Sequence, residues 1–552
     1  MAAVNTSHID TFVIDNLPSE AYQPEFCFEN SELQFPEQLN CAYELLDKKI
    51  EQGFGDNIAF YTLNEKWTYR DVLAKANQIA QVLKDDLGVI PGNRVLLRSP
   101  NNPMMVACWF AVLKVGGVVI STMTLLRSKE LIPVIEKGKI SLSLCDKRLS
   151  DEMEKAKDAT SELERICYFD GSGEESAGGE LENLMESKPT VFENLNTYSH
   201  DPALIAFTSG TTGIPKGTIH YHRDVMAMCI CFSDNVLKPS KDDIFIASPP
   251  IAFTFGLGVI VAFPMHAGAA TVLLEQAAPD QLIQAIETFR ATICSTAPTA
   301  YKAMLNDIET IDVSSLKKCV SAGETLPLPT FSSWKDATGI KIIDGIGATE
   351  MIHIFISAAV DDIRPGATGK PVFGYQACIV DEKMNRLPPG EKGLLAVKGP
   401  TGCRYLADDR QKNYVKNGWN ITGDVFEMDE DGYFWFHARG DDMIVSSGYN
   451  IGGPEVESTL MDHEAVEECA VVACPDAERG HIVKAYIVLS KNVSPSAELI
   501  KELQDFVKQQ AAPYKYPRAI EFITALPKTE TGKIQRFKLR DKSFVKDISK
   551  LS

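Results

Sequence analysis

The chain has 552 residues, more than one hydrophobic core organises, so a large domain of several subdomains with a smaller companion is the starting expectation. Its 55 basic against 75 acidic residues leave a formal charge of -20, which repels phosphate backbones and anionic lipid surfaces and excludes nucleic acid as a main partner. Thirteen scattered cysteines without C-x-x-C pairs, in a chain this rich in core, read as reduced thiols of a cytoplasmic protein rather than as disulfide staples.

The first twelve residues, MAAVNTSHIDTF, lack a basic stretch followed by an apolar one, so no secretory signal is expected. Short apolar runs at 94–97, 118–121, 142–145, 204–207, 270–274 and 319–321 alternate with amphipathic stretches such as 69–87 and 104–115. That alternation is the pattern of parallel α/β layers. The stretch 171–179, GSGEESAGG, reads as a surface loop. The uncharged stretch 244–274 is long enough for a membrane span, but Pro249, Pro250, Gly256, Gly258, Pro264 and His266 interrupt it. A buried strand, turn and helix is expected there, and no membrane span.

After about Ile363 the texture changes. The turn dipeptides Pro389-Gly390 and Asp431-Gly432, set between alternating residues, predict an antiparallel sheet or barrel. A third texture begins near Asp441: a helix over 454–461, strands over 470–473 and 483–489, and a helix over 497–510. This describes a small α+β unit. The expected fold is α/β, with a large N-terminal domain of α/β subdomains and a β-rich subdomain over 1–440, and a small α+β C-terminal domain over 441–552.

The sharpest local signal follows the apolar run LIAF: Thr208, Ser209, Gly210, Thr211, Thr212, Gly213, Ile214, Pro215, Lys216 and Gly217. Glycines let backbone amides turn inward, hydroxyls add donors and Lys216 adds a charge, which together suit a polyphosphate. It is not a Walker A loop, because G-x-x-x-x-G-K-[ST] cannot be laid over it. By composition alone such a loop is more often a solvated connection than a ligand site; its residue order is the specific feature.

That order resembles the signature of the adenylate-forming superfamily, which includes acyl- and aryl-CoA ligases, peptide-synthetase adenylation domains and firefly luciferases. The resemblance extends in chain order through SAGE at 321–324, DGIGATE at 344–350, ITGD at 421–424, HARGDDMI at 437–444 and PKTETGKIQR at 527–536. Six ordered motifs over most of the chain leave little room for coincidence.

The resemblance implies that ATP and Mg²⁺ are used to join a carboxylate to the α-phosphate with loss of pyrophosphate, and that the acyl group then passes to a thiol, coenzyme A. The loop from Thr208 to Gly217 would cover the β- and γ-phosphates. Gly323, Glu324, Asp344, Gly345, Ile346 and Gly347 would complete the nucleotide site. Thr349 would offer its hydroxyl to the α-phosphate and Glu350 an oxygen to Mg²⁺. Asp424, at the end of a strand-like segment, and Arg439 would hold the ribose; Ala438 stands where the family usually has glycine. Lys533 would reach the carboxylate and α-phosphate from a mobile C-terminal domain turning about Asp441. Ser446, Ser447, Gly448 and Tyr449, with Asn450, would then line the pantetheine path.

The acid pocket is expected between 249–258 and the strand leading to Glu350. Phe253 and Phe255 would share one side of an extended segment, Gly256, Ala322, Gly323, Gly345 and Gly347 would leave room for a flat ring, and His353 would follow Glu350 by three on one helix. DGIGATEMIHIF and PPIAFTFGLG are more similar to the benzoate-CoA and 2-aminobenzoate-CoA ligase branch than to acetyl or long-chain enzymes. An aromatic acid is the expected substrate, with a short branched or unsaturated aliphatic acid as alternative. Loading of a carrier-protein thiol, a luciferase-like oxygenation and non-enzymatic nucleotide binding are the competing functions; Glu350, Arg439 and Lys533 argue against the last. A monomer and a homodimer are equally compatible.

Overall fold

The computed structural model describes residues 5–173, 178–208, 214–324, 326, 328–439, 443–476, 478–491, 493–527, 534 and 536–540. The chain divides into two compact units: Met1–Thr124, Val134–Phe207 and Gly217–Ala438 form the first, and Leu125–Pro133, Thr208–Lys216 and Arg439–Ser552 the second.

Two large sheets organise the first unit. A six-stranded sheet runs in the order Arg165–Phe169, Leu142–Asp146, Arg94–Arg98, Val118–Thr122, Pro202–Thr208, Lys216–Tyr221, with its central pairs parallel. The nine-stranded sheet has a parallel centre, where Ile342–Gly347, Lys318–Ser321, Ile293–Thr296, Ile244–Ala247 and Ala270–Val272 lie side by side. Strands buried on both faces read as continuous apolar runs, which is why short runs located them in the sequence.

The helices between these layers have local causes. Tyr69–Asp85 starts in a capping box of Thr68 and Asp71 and buries Val72, Ala76, Ile79, Ala80 and Leu83 along one face. Pro103–Lys114 is capped by the Asn102 side chain, has proline at its first position and buries every residue. Its last side chain, Lys114, is fully buried and held by Asp47 at 2.6 and 2.7 Å and by Asn194 at 2.7 Å. The uncharged stretch is indeed strand, turn and helix: Ile244–Ala247, then helical residues 254–267, then the strand Ala270–Val272. Among the described residues no helix is long and apolar enough to cross a membrane.

An antiparallel sheet follows, built from Gln376–Val380, Lys392–Lys398, Trp419–Met428, Val415–Lys416 and Phe434–Arg439. Asp424 was expected at a strand end but lies inside Trp419–Met428. There the register slips opposite 394–396, and Gly423 takes a φ of 81°, so the strand bulges at the Asp424 side chain.

The second unit packs Gly453–Met461 and Ala497–Gln510 on a sheet of Val466–Asp476, Gly480–Leu489 and Ala519–Phe522. Ser496 caps the longer helix, whose Leu499, Leu503 and Val507 recur every fourth residue toward the core. The hairpin Met443–Ser446 and Tyr449–Gly452 turns through Ser447 and Gly448 at φ 47° and 80°, the two left-handed positions of a type I′ turn.

Candidate active site

The parallel strands of the nine-stranded sheet end together, the place where open α/β sheets bind ligands. A polar row marks these ends: the Ser248 and Thr296 hydroxyls are hydrogen-bonded, Thr296 stands in register with Ser321, and Ser321 with Asp344. Burial pushes the Asp344 carboxyl up to about 7, although the Ser321 hydroxyl and the Gly345 amide pull the other way. Ala322 is buried, and Gly323, at φ 88°, turns the chain out of the strand just before Glu324.

Ile342–Gly347 carries Asp344, Gly345, Ile346 and Gly347 and pairs with the antiparallel strand Ile354–Ser357, with an irregularity between Ile346 and Gly347. The room expected at the two glycines is already taken. A Cβ on Gly345 would stand 2.7 Å from the Ile354 side chain and one on Gly347 2.9 Å from the His353 backbone. These glycines let the neighbouring strand approach rather than opening space for a ring.

The helix expected after Glu350 is a single 3-10 turn, Thr349–Met351, which stops at Ile352 with φ 66°. His353 therefore does not share a helix face with Glu350; it enters the strand Ile354–Ser357. Glu350 is buried and its Oε1 accepts a hydrogen bond from the Tyr405 hydroxyl. The Thr349 carbonyl lies 2.7 Å from His220 Nε2. Neither Tyr405 nor His220 was singled out in the sequence, where they stand 55 residues after and 129 before their partners, with no motif linking them.

The two expected pocket phenylalanines do not share an extended segment. Phe253 precedes a helix and lines a cavity of about 20 Å³ with Trp109, Ser121, Ala206 and Leu257, whereas Phe255 lies within the first helical turn. Its ring lies 5.5 Å from that of His353, which Phe232 and Phe263 also enclose at 5.4 and 4.6 Å. Gly256 admits no side chain, since a Cβ would stand 2.0 Å from the Pro250 carbonyl oxygen. At Gly258 the missing side chain makes room for the His353 ring, 2.5 Å from where a Cβ would be. Neither nitrogen of His353 makes a well-formed hydrogen bond. Burial pushes its imidazole down to about 3 against the pull of the Phe255 backbone, so it is neutral. Phe232 and Phe263 escaped sequence reasoning because they look like ordinary core.

Thr208 ends and Lys216 begins two neighbouring strands of the six-stranded sheet. Ser209, Gly210, Thr211, Thr212 and Gly213 between them lie outside the described residues, as do Asp441 and Lys533, and the side chain of Arg439 is likewise not described. Asp424 is buried, and its amide donates to the Thr422 hydroxyl at 3.2 Å. In the second unit Ser446 is buried, Ser447 Oγ accepts from Arg479 at 2.9 Å, and the Tyr449 ring stacks on Tyr514 at 4.1 Å.

A family model described as AMP-binding enzyme matches residues 47–405, and one described as AMP-binding enzyme C-terminal domain matches 455–533. The chain is 32% identical to the benzoate–CoA ligase of Thauera aromatica over 92% of this chain and 97% of that protein. It is also 32% identical to the mitochondrial acyl-coenzyme A synthetase ACSM3 of Homo sapiens, over 94% and 92%. Among solved structures, the anthranilate CoA ligase AuaEII in complex with anthranoyl-AMP matches with a TM-score of 0.73 and 36% identity, covering 94% of this chain and all of that one.

Proposed function

The chain belongs to the AMP-binding enzyme family as an acid–CoA ligase of the adenylate-forming superfamily, and from that premise we propose that its acid is aromatic, a benzoate or an amino-substituted benzoate such as 2-aminobenzoate. The support is the aromatic cluster around His353: the partly exposed Phe255 ring, packed with His353 against buried Phe232 and Phe263, offers an apolar face to a flat substrate, and a neutral imidazole buried without a well-formed hydrogen bond gains one from a ring amino group. The relatives named for benzoate and anthranilate lend the same support. A short branched or unsaturated aliphatic acid is the second reading, favoured by the equal identity to an acyl-coenzyme A synthetase. Transfer to a carrier-protein thiol is the variant of the second step.

In the first step a carboxylate oxygen bonds to the α-phosphorus of ATP while the bond to the bridging oxygen of pyrophosphate breaks. Thr208 to Gly213 and Lys216 hold the polyphosphate, Gly323, Glu324 and Asp344 to Gly347 the base, and Asp424 and Arg439 the ribose. Thr349 donates to the α-phosphate, and Lys533 balances the charge building between acid and phosphate. Glu350 would hold Mg²⁺, which takes one or two carboxylates and completes its shell with water and phosphate oxygens; when bound, the ion neutralises phosphate charge. A single buried carboxylate, already held by the Tyr405 hydroxyl, fits that donor set, and among the described residues no cluster of three or more acidic, histidine or cysteine ligands competes for it.

In the second step the thiol sulfur attacks the acyl carbon and AMP leaves. Residues 441–552 would turn about Asp441 to withdraw Lys533 and bring Ser446, Ser447, Gly448 and Tyr449 to the pantetheine arm, in a cytoplasmic enzyme. The test is a pyrophosphate-release screen with ATP, Mg²⁺ and CoA over substituted benzoates and short aliphatic acids. Turnover of benzoates above all others is expected; preference for an aliphatic acid would overturn the aromatic assignment.

A further inference from the structure

The turn that carries Thr349 and Glu350 ends on Ile352 at φ 66° and ψ -38°. A β-branched residue there costs on the order of 1–3 kcal/mol and persists only where its surroundings over-determine it. Here each of the three preceding residues is gripped by a side chain from another element. His220 Nε2 meets the Thr349 carbonyl at 2.7 Å, Tyr405 bonds the Glu350 carboxylate, and Thr401 Oγ1 donates to the Met351 carbonyl at 2.8 Å. Thr401 is in turn 2.6 Å from the Tyr375 hydroxyl.

The His220 grip is the most elaborately built. A carbonyl oxygen only accepts, so Nε2 carries the hydrogen. Nδ1 faces Asp224 Oδ2 at 3.7 Å, with both side chains fully buried. The same carboxylate oxygen accepts from Arg404 at 2.7 Å and from the Tyr221 amide at 3.0 Å. The Arg404 guanidinium lies over the Tyr221 and Phe26 rings at 3.9 and 4.3 Å. Burial opposes the charge on Asp224, yet Arg404, His220 and Arg223 together hold its carboxyl well below the usual range. A buried ion pair of this kind contributes little net stability against an apolar replacement, and its best-attested use is to fix one arrangement.

We propose that His220 is a positioning residue for adenylation: packed beside the buried Asp224–Arg404 pair, it clamps the Thr349 carbonyl, and Thr401 clamps Met351, so that strained Ile352 is locked between the phosphate-side pair Thr349–Glu350 and the acid-side His353. This rests on the functional reading above. Five consecutive residues thereby tie the two reactants' geometries together. Losing the clamp lets Ile352 relax and displaces both ends.

The test compares wild type, His220→Leu, His220→Gln, Ile352→Gly and the Leu/Gly double variant by pyrophosphate release over the acid panel, with thermal unfolding measured alongside. His220→Leu should lose about 10²-fold in kcat/KM for both acid and ATP, the usual consequence of a displacement of about 1 Å. Glutamine, whose amide can donate to the same carbonyl, should recover about tenfold or more of that loss. Because glycine adopts positive φ without strain, His220→Leu should cost less than about tenfold in the Ile352→Gly background. Equal losses in the two backgrounds, no rescue by glutamine, or a His220→Leu protein with wild-type kinetics overturns the inference while leaving the ligase assignment standing. If His220→Leu does not fold, Thr401→Val with and without Ile352→Gly takes its place under the same criteria. A wild type that releases no pyrophosphate with any acid overturns the functional reading and this inference with it.

Discussion

Alanine at Gly258 tests the proposed acid pocket most directly. The added Cβ would lie 2.5 Å from Cδ2 and Nε2 of His353 and 3.1 Å from Cζ of Phe263, where ordinary contact begins at 3.4 Å. The imidazole must therefore retreat by about 1 Å, into space already taken by Phe232, Phe255 and Phe263. Overpacking of this kind costs about 1–3 kcal/mol of stability. A shift of about 1 Å in substrate position costs about 10²-fold in rate, or about 2.7 kcal/mol of transition-state stabilisation. Pyrophosphate release measured separately against acid and ATP should show kcat/KM for the aromatic acid falling by about 10²-fold and KM for ATP changing by less than about threefold. A folded Gly258→Ala protein that handles the acid like wild type would refute the placement of His353 beside the substrate.

Lys533→Ala should abolish ATP-dependent adenylation while still converting supplied acyl-adenylate and CoA to thioester; equal loss of both half-reactions, followed by chromatography of the thioester, would count against the division of labour. Asp441→Pro fixes φ and should spare one half-reaction more than the other, and unchanged overall turnover would remove Asp441 as the hinge. Lys114→Met leaves the partly exposed Asp47 without its buried partner and should cost about 1–3 kcal/mol in denaturant unfolding. The raised carboxyl of Asp344 makes the folded protein bind more protons than the unfolded chain between the ordinary carboxylate value of 3.8 and about 7, so its contribution to stability is present below 3.8 and is lost as pH rises toward 7. Asp344→Asn should flatten that part of the pH profile of thermal unfolding; an unchanged slope would show that the carboxyl titrates elsewhere.

The elements were legible because their causes are local. Leu142–Asp146 was visible as an apolar run since both of its faces are buried, and the helix Ala497–Gln510 since Leu499, Leu503 and Val507 recur every fourth residue behind a serine cap. The sequence by itself also marked the family, through six motifs in a fixed order along the chain. The geometry of the site was decided by tertiary contacts. The helix expected after Glu350 became a turn ending at strained Ile352, and the space read into Gly345 and Gly347 was taken by a neighbouring strand. Residues from two distant segments hold that turn: His220 from one and Thr401 and Tyr405 from the other, with Arg404 reaching Asp224 across 180 positions. Periodicity and turn chemistry report what a residue does to its near neighbours along the chain. Only packing brings side chains so far apart in sequence within hydrogen-bond range, and a strained backbone survives only where several such contacts converge.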